Sequence, residues 1–184
     1  FGAAFPARRI TTRHRWDDLV VPADVRTRID EIRSWLRHGD TLLDGWGLGT
    51  RLAPGYCCLF HGPPGTGKSM TAALLGTEPR AGPSPASGSG DAGAPSRSRS
   101  GGIGRDVYRI DLSLVVSKYV GETEKNLRRV FETASGRGWI LFFDEADALF
   151  GKRTRIESAN DVFVRQQVAF LLQSVEEHPG VVIL

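Results

Sequence analysis

Two clusters of residues have the types and spacing to do chemistry. The first is Gly62-Pro63-Pro64-Gly65-Thr66-Gly67-Lys68-Ser69, which fits G-x-x-x-x-G-K-[ST], a phosphate-binding loop. Without a Cβ, Gly62, Gly65 and Gly67 let the backbone turn its N–H groups inward around an anion. Lys68 can reach β- and γ-phosphates, and the Ser69 hydroxyl can ligate Mg²⁺. A helix opening at Lys68 and running through Met70, Ala72, Ala73, Leu74 and Leu75 aims its positive end at the same charges. The second cluster is Asp144-Glu145, which closes the apolar run Trp139-Ile140-Leu141-Phe142-Phe143. The carboxyl ends of parallel strands are where ligands bind. Asp144 is placed to hold the Mg²⁺ shell, and Glu145 to orient and deprotonate an attacking water. Helix capping by Asp144 alone would leave Glu145 unaccounted for. The catalytic candidates are thus Lys68 and Glu145, and the metal candidates Ser69 and Asp144.

Positioning these groups takes strands that alternate with helices. The short apolar run Tyr56-Cys57-Cys58-Leu59-Phe60 reads as the strand before the glycine loop. Val107-Tyr108-Arg109-Ile110-Asp111-Leu112 alternates as a second strand, and the continuous run at 139–143 suits a strand buried on both faces. Val181 begins a last one. Between them, Leu127, Val130, Phe131 and Ala134 recur at helical spacing from a start near Glu122 or Thr123. Val164, Val168, Leu171, Leu172 and Val175 mark a longer helix, ended by His178-Pro179-Gly180. Such alternation predicts an α/β fold with a parallel sheet flanked by helices.

Upstream, Val25, Ile29, Ile32 and Leu36 place an amphipathic helix over residues 22–37, while 1–15 show no periodicity and read as a linker. Residues 39–55 are loop-rich, with Trp46, Leu48 and Leu52 expected to pack onto the domain. From Thr77 to Gly102 no Val, Ile, Leu, Met or aromatic residue occurs. Such a stretch cannot bury enough apolar surface to offset its chain entropy, and a disordered insertion is expected over 77–102.

Three segments in order, Gly62 to Ser69, then Ser117-Lys118-Tyr119-Val120-Gly121-Glu122-Thr123-Glu124-Lys125-Asn126-Leu127, then Ile140-Leu141-Phe142-Phe143-Asp144-Glu145-Ala146-Asp147-Ala148-Leu149-Phe150, resemble an AAA-family ATPase of the protein-remodelling type, as in bacterial stand-alone AAA proteins. The resemblance runs from about Trp16 to Leu184. It implies a P-loop NTPase fold, the large α/β subdomain over 16–184, stopping before the sensor, arginine fingers and lid of that family. ATP and Mg²⁺ are then the implied ligands, held by residues 62–69 with Met70 and Asp144. Trp16-Asp17-Asp18-Leu19-Val20-Val21 resembles the segment that lies against adenine, which brings in Val20 and Val21. Lys118, Tyr119, Val120 and Gly121 correspond to the loop that lines the pore of a hexameric ring, where the aromatic grips an extended polypeptide.

At 184 residues and 40% hydrophobic content, the chain can bury one core. It starts at Phe1 and stops inside the run Val181-Val182-Ile183-Leu184, which reads as part of a longer protein. A net charge of +3 is mild. Arg8, Arg9, Arg13 and Arg15, and the run Ser96-Arg97-Ser98-Arg99-Ser100, lack the aromatic interleaving of a nucleic-acid surface, so no nucleic-acid partner is expected. Cys57 and Cys58, adjacent on a strand, point to opposite faces and read as two small buried hydrophobes. The four histidines show no metal-ligand spacing. No apolar run reaches membrane-spanning length, and a cytoplasmic setting is expected. Two other readings stand beside ATP-driven remodelling of a protein substrate by a homo-hexamer: a nucleic-acid motor or loader on the same fold, and a nucleotide-binding module without turnover.

Overall fold

The computed structural model describes residues 7–53, 55–79, 104–112, 122–146 and 159–184. Five strands, β1 (Ala7–Ile10), β2 (Tyr56–Cys58), β3 (Val107–Asp111), β4 (Ile140–Asp144) and β5 (Val181–Ile183), form one sheet in the order β1-β3-β4-β5-β2. The pairs β3–β4, β4–β5 and β5–β2 are parallel, and β1 alone runs antiparallel, along β3. Among the described residues four α-helices accompany it: α1 (Ala23–Asp40), α2 (Lys68–Leu75), α3 (Glu122–Ser135) and α4 (Ala159–Glu177). This is the α/β arrangement that the alternation predicts.

Side-chain alternation splits the apolar set between the two faces of the sheet. On one face Val107, Ile140, Phe142, Val181 and Ile183 pack with Ile32 and Leu36 of α1 and Ala72 and Leu75 of α2. On the other, Ile110, Leu141, Phe143 and Val182 pack with Leu127, Val130, Phe131 and Ala134 of α3 and Leu171 and Val175 of α4. β4 lies between two parallel neighbours and under helices on both sides, which is why its residues Ile140, Leu141, Phe142 and Phe143 are all buried. Each such side chain contributes about 1.5–3 kcal/mol of burial, and the C-terminal end of the strand is thereby held in place.

Several sequence expectations need correction. Residues 7–10, expected in a linker, form β1. Its register sets Ala7 opposite Ile110 and Ile10 opposite Val107, and Arg9 pairs with Asp106 at 2.6 Å. Four residues with two arginines carry no periodic signal, yet charge is what keeps an edge strand from pairing with another chain. The helix α1 runs on to Asp40, past the expected end at 37, and its buried stripe starts at Ile29, since Val25 is exposed. Trp46, Leu52 and Leu172 are also exposed. Cys57 is exposed and Cys58 half-buried, because β2 is the sheet's edge strand among the described residues and lies beyond the cover of α3 and α4. Burial nevertheless pushes the Cys58 thiol up to about 12.

Residues 77–79, expected within the insertion, are part of the packed structure. Glu78 is buried, and its carboxylate accepts from Arg33 Nε at 2.6 Å and Arg37 Nε at 2.7 Å, both on α1. Burial pulls the Arg33 guanidinium down, but Glu78 and Asp30 outweigh it and hold it above its ordinary value. On the far side, Arg105 donates to the Leu36 carbonyl at 2.5 Å. Gly104 stands so close to Gly76 that a Cβ on it would lie 2.3 Å from the Gly76 carbonyl oxygen. Residues 80–103 lie outside the described residues, as does the expected pore loop at 118–121.

Candidate functional site

The glycine loop runs from β2 into α2. Gly65 at φ 80° and Gly67 at φ 89° occupy left-handed backbone that L-residues avoid. At Gly67 a Cβ would also crowd Leu19 Cδ1 at 3.3 Å, which would have to give by a few tenths of an ångström. The Thr66 hydroxyl donates to the Pro63 carbonyl at 2.9 Å and braces the turn. Lys68 Nζ donates to the carbonyls of Gly62 at 2.7 Å and Pro63 at 2.9 Å. The ammonium therefore arches over the loop it belongs to, where an anion on the inward N–H groups would meet it. The first-turn N–H groups of α2 have no intrahelical partner and add their partial positive charge.

Across the cleft, Asp144 and Glu145 end β4. Asp144 Oδ1 accepts from the Glu145 N–H at 3.0 Å, and Asp144 Oδ2 meets Arg109 at 2.5 Å. Glu145 sits at φ 58°, the one non-glycine residue at positive φ among those described, and its side chain is exposed. The turn at 145–146 carries its carboxylate beyond the end of the strand.

These two clusters share a cleft of about 870 Å³. Gly62, Pro64, Gly65, Gly67, Lys68, Ser69 and Met70 line one wall, and Asp144 and Glu145 the other, with Phe142, Phe143 and Leu184 between. The chemistry of the donor set fits a magnesium nucleotide. A cradle whose glycines admit phosphate oxygens faces one carboxylate able to hold the metal's water shell, with the Ser69 hydroxyl on the loop side. Pro63 and Thr66 complete the loop without lining the cleft. Val20 is 93% exposed, whereas Val21 packs with Met70 against Leu19, Ile29 and Leu74. The segment at 16–21 is thus laid against the start of α2, and Arg26 holds it there by donating to the Leu19 carbonyl at 2.9 Å. Neither Val20 nor Val21 lines the cleft. A second cleft, of about 710 Å³ between α3 and α4, has no phosphate cradle.

Sequence reasoning missed three contributors: Leu19 packed on Gly67, Arg26 tying down residues 16–19, and Arg109 on Asp144. Only the last had a signal, a cation in the middle of an otherwise alternating strand.

The sequence model of the ATPase family associated with various cellular activities (AAA) matches residues 58–184. The chain belongs to the AAA family. The AAA match starts in β2 and takes in both walls of the cleft. Among AAA relatives, the chain is similar to the uncharacterized AAA family ATPase y4kL of Sinorhizobium fredii, 29% identical over 95% of this chain and 43% of that protein. It is 32% identical to the peroxisomal ATPase PEX6 of Arabidopsis thaliana over 73% of this chain and 11% of PEX6. It is also 32% identical to an AAA ATPase forming ring-shaped complexes from Corynebacterium diphtheriae, over 72% of this chain and 24% of that protein. The chain therefore spans less than half the length of each. Among the described residues no helix is long and apolar enough to cross a membrane.

Proposed function

We propose that this chain binds and hydrolyses ATP as the large nucleotide-binding subdomain of an AAA protein, and that the protein containing it works as a hexameric ring on a protein substrate. The observation that carries the first half is the shared cleft, with the loop at 62–69 on one wall and Asp144 and Glu145 on the other. In this reading the N–H groups of the loop and Lys68 bind the phosphates, Ser69 and Asp144 hold Mg²⁺, and Met70 borders the base with Val21 packed behind it. Bound Mg²⁺ would supply charge neutralisation on the phosphate oxygens. Glu145 orients the attacking water and takes its proton. Its exposed, turn-borne carboxylate has the freedom to do so, whereas Asp144 is pinned by two donors.

Support for the ring comes from the relative named for ring-shaped complexes. Support for a polypeptide substrate comes from the resemblance carried by Lys118, Tyr119, Val120 and Gly121. Lys68 and Glu145 separate binding from chemistry. In the full-length protein, Lys68→Ala should weaken ATP binding at least tenfold, while Glu145→Gln should bind ATP as the parent does and lose turnover a hundredfold or more, on the order of what positioned acid–base groups supply. Calorimetric ATP titration and a phosphate-release assay check the two arms. Parental turnover in Glu145→Gln would remove Glu145 from the role of base.

A further inference from the structure

Arg109 has no place in the phosphate-binding and hydrolytic roles above, yet it makes one of the shortest ion pairs among the described residues, with Asp144. In the parallel register of β3 and β4, Arg109 stands level with Phe142, and Asp111 with Asp144. Residues level in a ladder share a face, and so do residues two apart along a strand. Arg109, Asp111, Phe142 and Asp144 therefore all lie on the face covered by α1 and α2. From there the guanidinium reaches diagonally across to Asp144 Oδ2 at 2.5 Å. The other oxygen, Oδ1, is taken by the Glu145 N–H at 3.0 Å. Both oxygens are thus held by the protein itself, and the carboxylate has one orientation.

The pair also changes the charge. Arg8 on β1 stands directly opposite Arg109, on the same face, while Asp111 lies level with Asp144 and makes contacts of its own. The carboxylates of Asp144 and Glu145 line the cleft opposite Lys68, and Arg109 is paired with Asp144 beside it. Over these four groups the sum is close to zero. Mg²⁺ dehydrates reluctantly and is held through one or two carboxylates plus substrate phosphates. A neutral cleft offers such an ion little until phosphates bring their own negative charge.

We propose that Arg109 is a positioning residue for the metal-holding carboxylate: it orients Asp144 and offsets its charge, so that the divalent cation enters with the nucleotide and not ahead of it. This rests on the nucleotide-site reading given above. Arg109 is 44% exposed and Asp144 22%, so solvent screens the pair and its effect is modest. An exposed pair of this kind is worth up to about 1 kcal/mol, which corresponds to about fivefold in a binding constant.

The test uses Mn²⁺, followed by its electron paramagnetic resonance signal, titrated into the full-length protein without nucleotide and again with saturating ADP. Arg109→Met removes the charge and keeps the bulk, and Arg109→Gln removes the charge and keeps hydrogen bonding. Both should lower the half-saturating Mn²⁺ concentration about fivefold in the titration without nucleotide, and Arg109→Lys should titrate like the parent. The two neutral variants check each other should one fail to fold, with far-ultraviolet circular dichroism as the control. Parental titration curves for both neutral variants would overturn the proposal. So would an Arg109→Lys curve that follows Arg109→Met, since geometry and not charge would then be at issue. Failure of the parent to bind ADP in a calorimetric titration, with or without metal, would instead remove the nucleotide-site reading, an outcome distinguishable from the Mn²⁺ curves.

Discussion

Single residues show most sharply where chemistry and packing compete. His178 follows α4, and it is 3% exposed. The Ser135 hydroxyl donates to the Phe131 carbonyl at 2.9 Å and lies 3.2 Å from His178 Nδ1. Its one proton is spent on Phe131, so it accepts from Nδ1–H. Nε2 has no hydrogen-bond partner among the described residues, and burial lowers the histidine to about 4. The unfolded chain takes up its proton first, near the ordinary value of about 6.5. Stability from this group is therefore complete above about pH 6.5 and lost as pH falls to about 4, by on the order of 3 kcal/mol. Denaturant unfolding across that window should show the loss, and His178→Gln should flatten it. An unchanged slope in the variant would show that carboxylates and not His178 set the acid limb. Nothing in the sequence marked this residue, because burial is a property of the assembled helices. That the glycine loop and Asp144-Glu145 meet in one cleft was legible, since each pattern is written within a few adjacent positions beside a strand.

At the scale of elements, the sequence disclosed those whose apolar pattern is long enough to repeat. α3 and β4 stand where their spacing put them, and β1 was invisible because four residues at a charged edge repeat nothing. The Glu78 clamp was hidden for another reason. A lone acid at the head of a Gly, Pro and Ser-rich stretch looks solvated until α1, more than forty positions earlier in the chain, presents two arginines to it. That clamp, with the Gly76–Gly104 contact, holds together the two segments that flank residues 80–103. Replacing 80–103 by a short Gly-Ser joint while keeping Glu78 and Gly104 should move the melting temperature by no more than about 3 °C, since closure entropy changes slowly with loop length. Adding Glu78→Gln should then cost on the order of 3 kcal/mol, the lower range for breaking a buried pair because Arg33 and Arg37 keep contact with water. Calorimetric melting checks both steps. A large drop from the deletion alone would mean that residues 80–103 contribute to the stability of the domain.

For the whole molecule, the sheet brings together groups from opposite ends of the described sequence. Leu19 reaches the turn at Gly67, and Leu184 closes the back of the cleft. No local pattern could reveal those meetings, which depend on strand order. The proposed action on a polypeptide rests on Tyr119, which is outside the described residues. If the ring grips by aromatic contact, Tyr119→Ala in the full-length protein should leave ATP binding and basal hydrolysis within about twofold and reduce substrate remodelling tenfold or more, whereas Tyr119→Phe should retain it. Loss of ATP binding on Tyr119→Ala would make the tyrosine a packing residue. Weaker single-stranded nucleic-acid binding with remodelling intact would favour the nucleic-acid motor.

The left-handed backbone at Glu145 also bears on how this protein can be improved. A side chain held at such angles stores on the order of 1 kcal/mol that glycine would release. Selection for heat resistance alone would therefore favour Glu145→Gly and discard the residue assigned to the chemistry. Stabilising libraries of this domain need a second screen for turnover, because at this position robustness and activity pull the sequence in opposite directions.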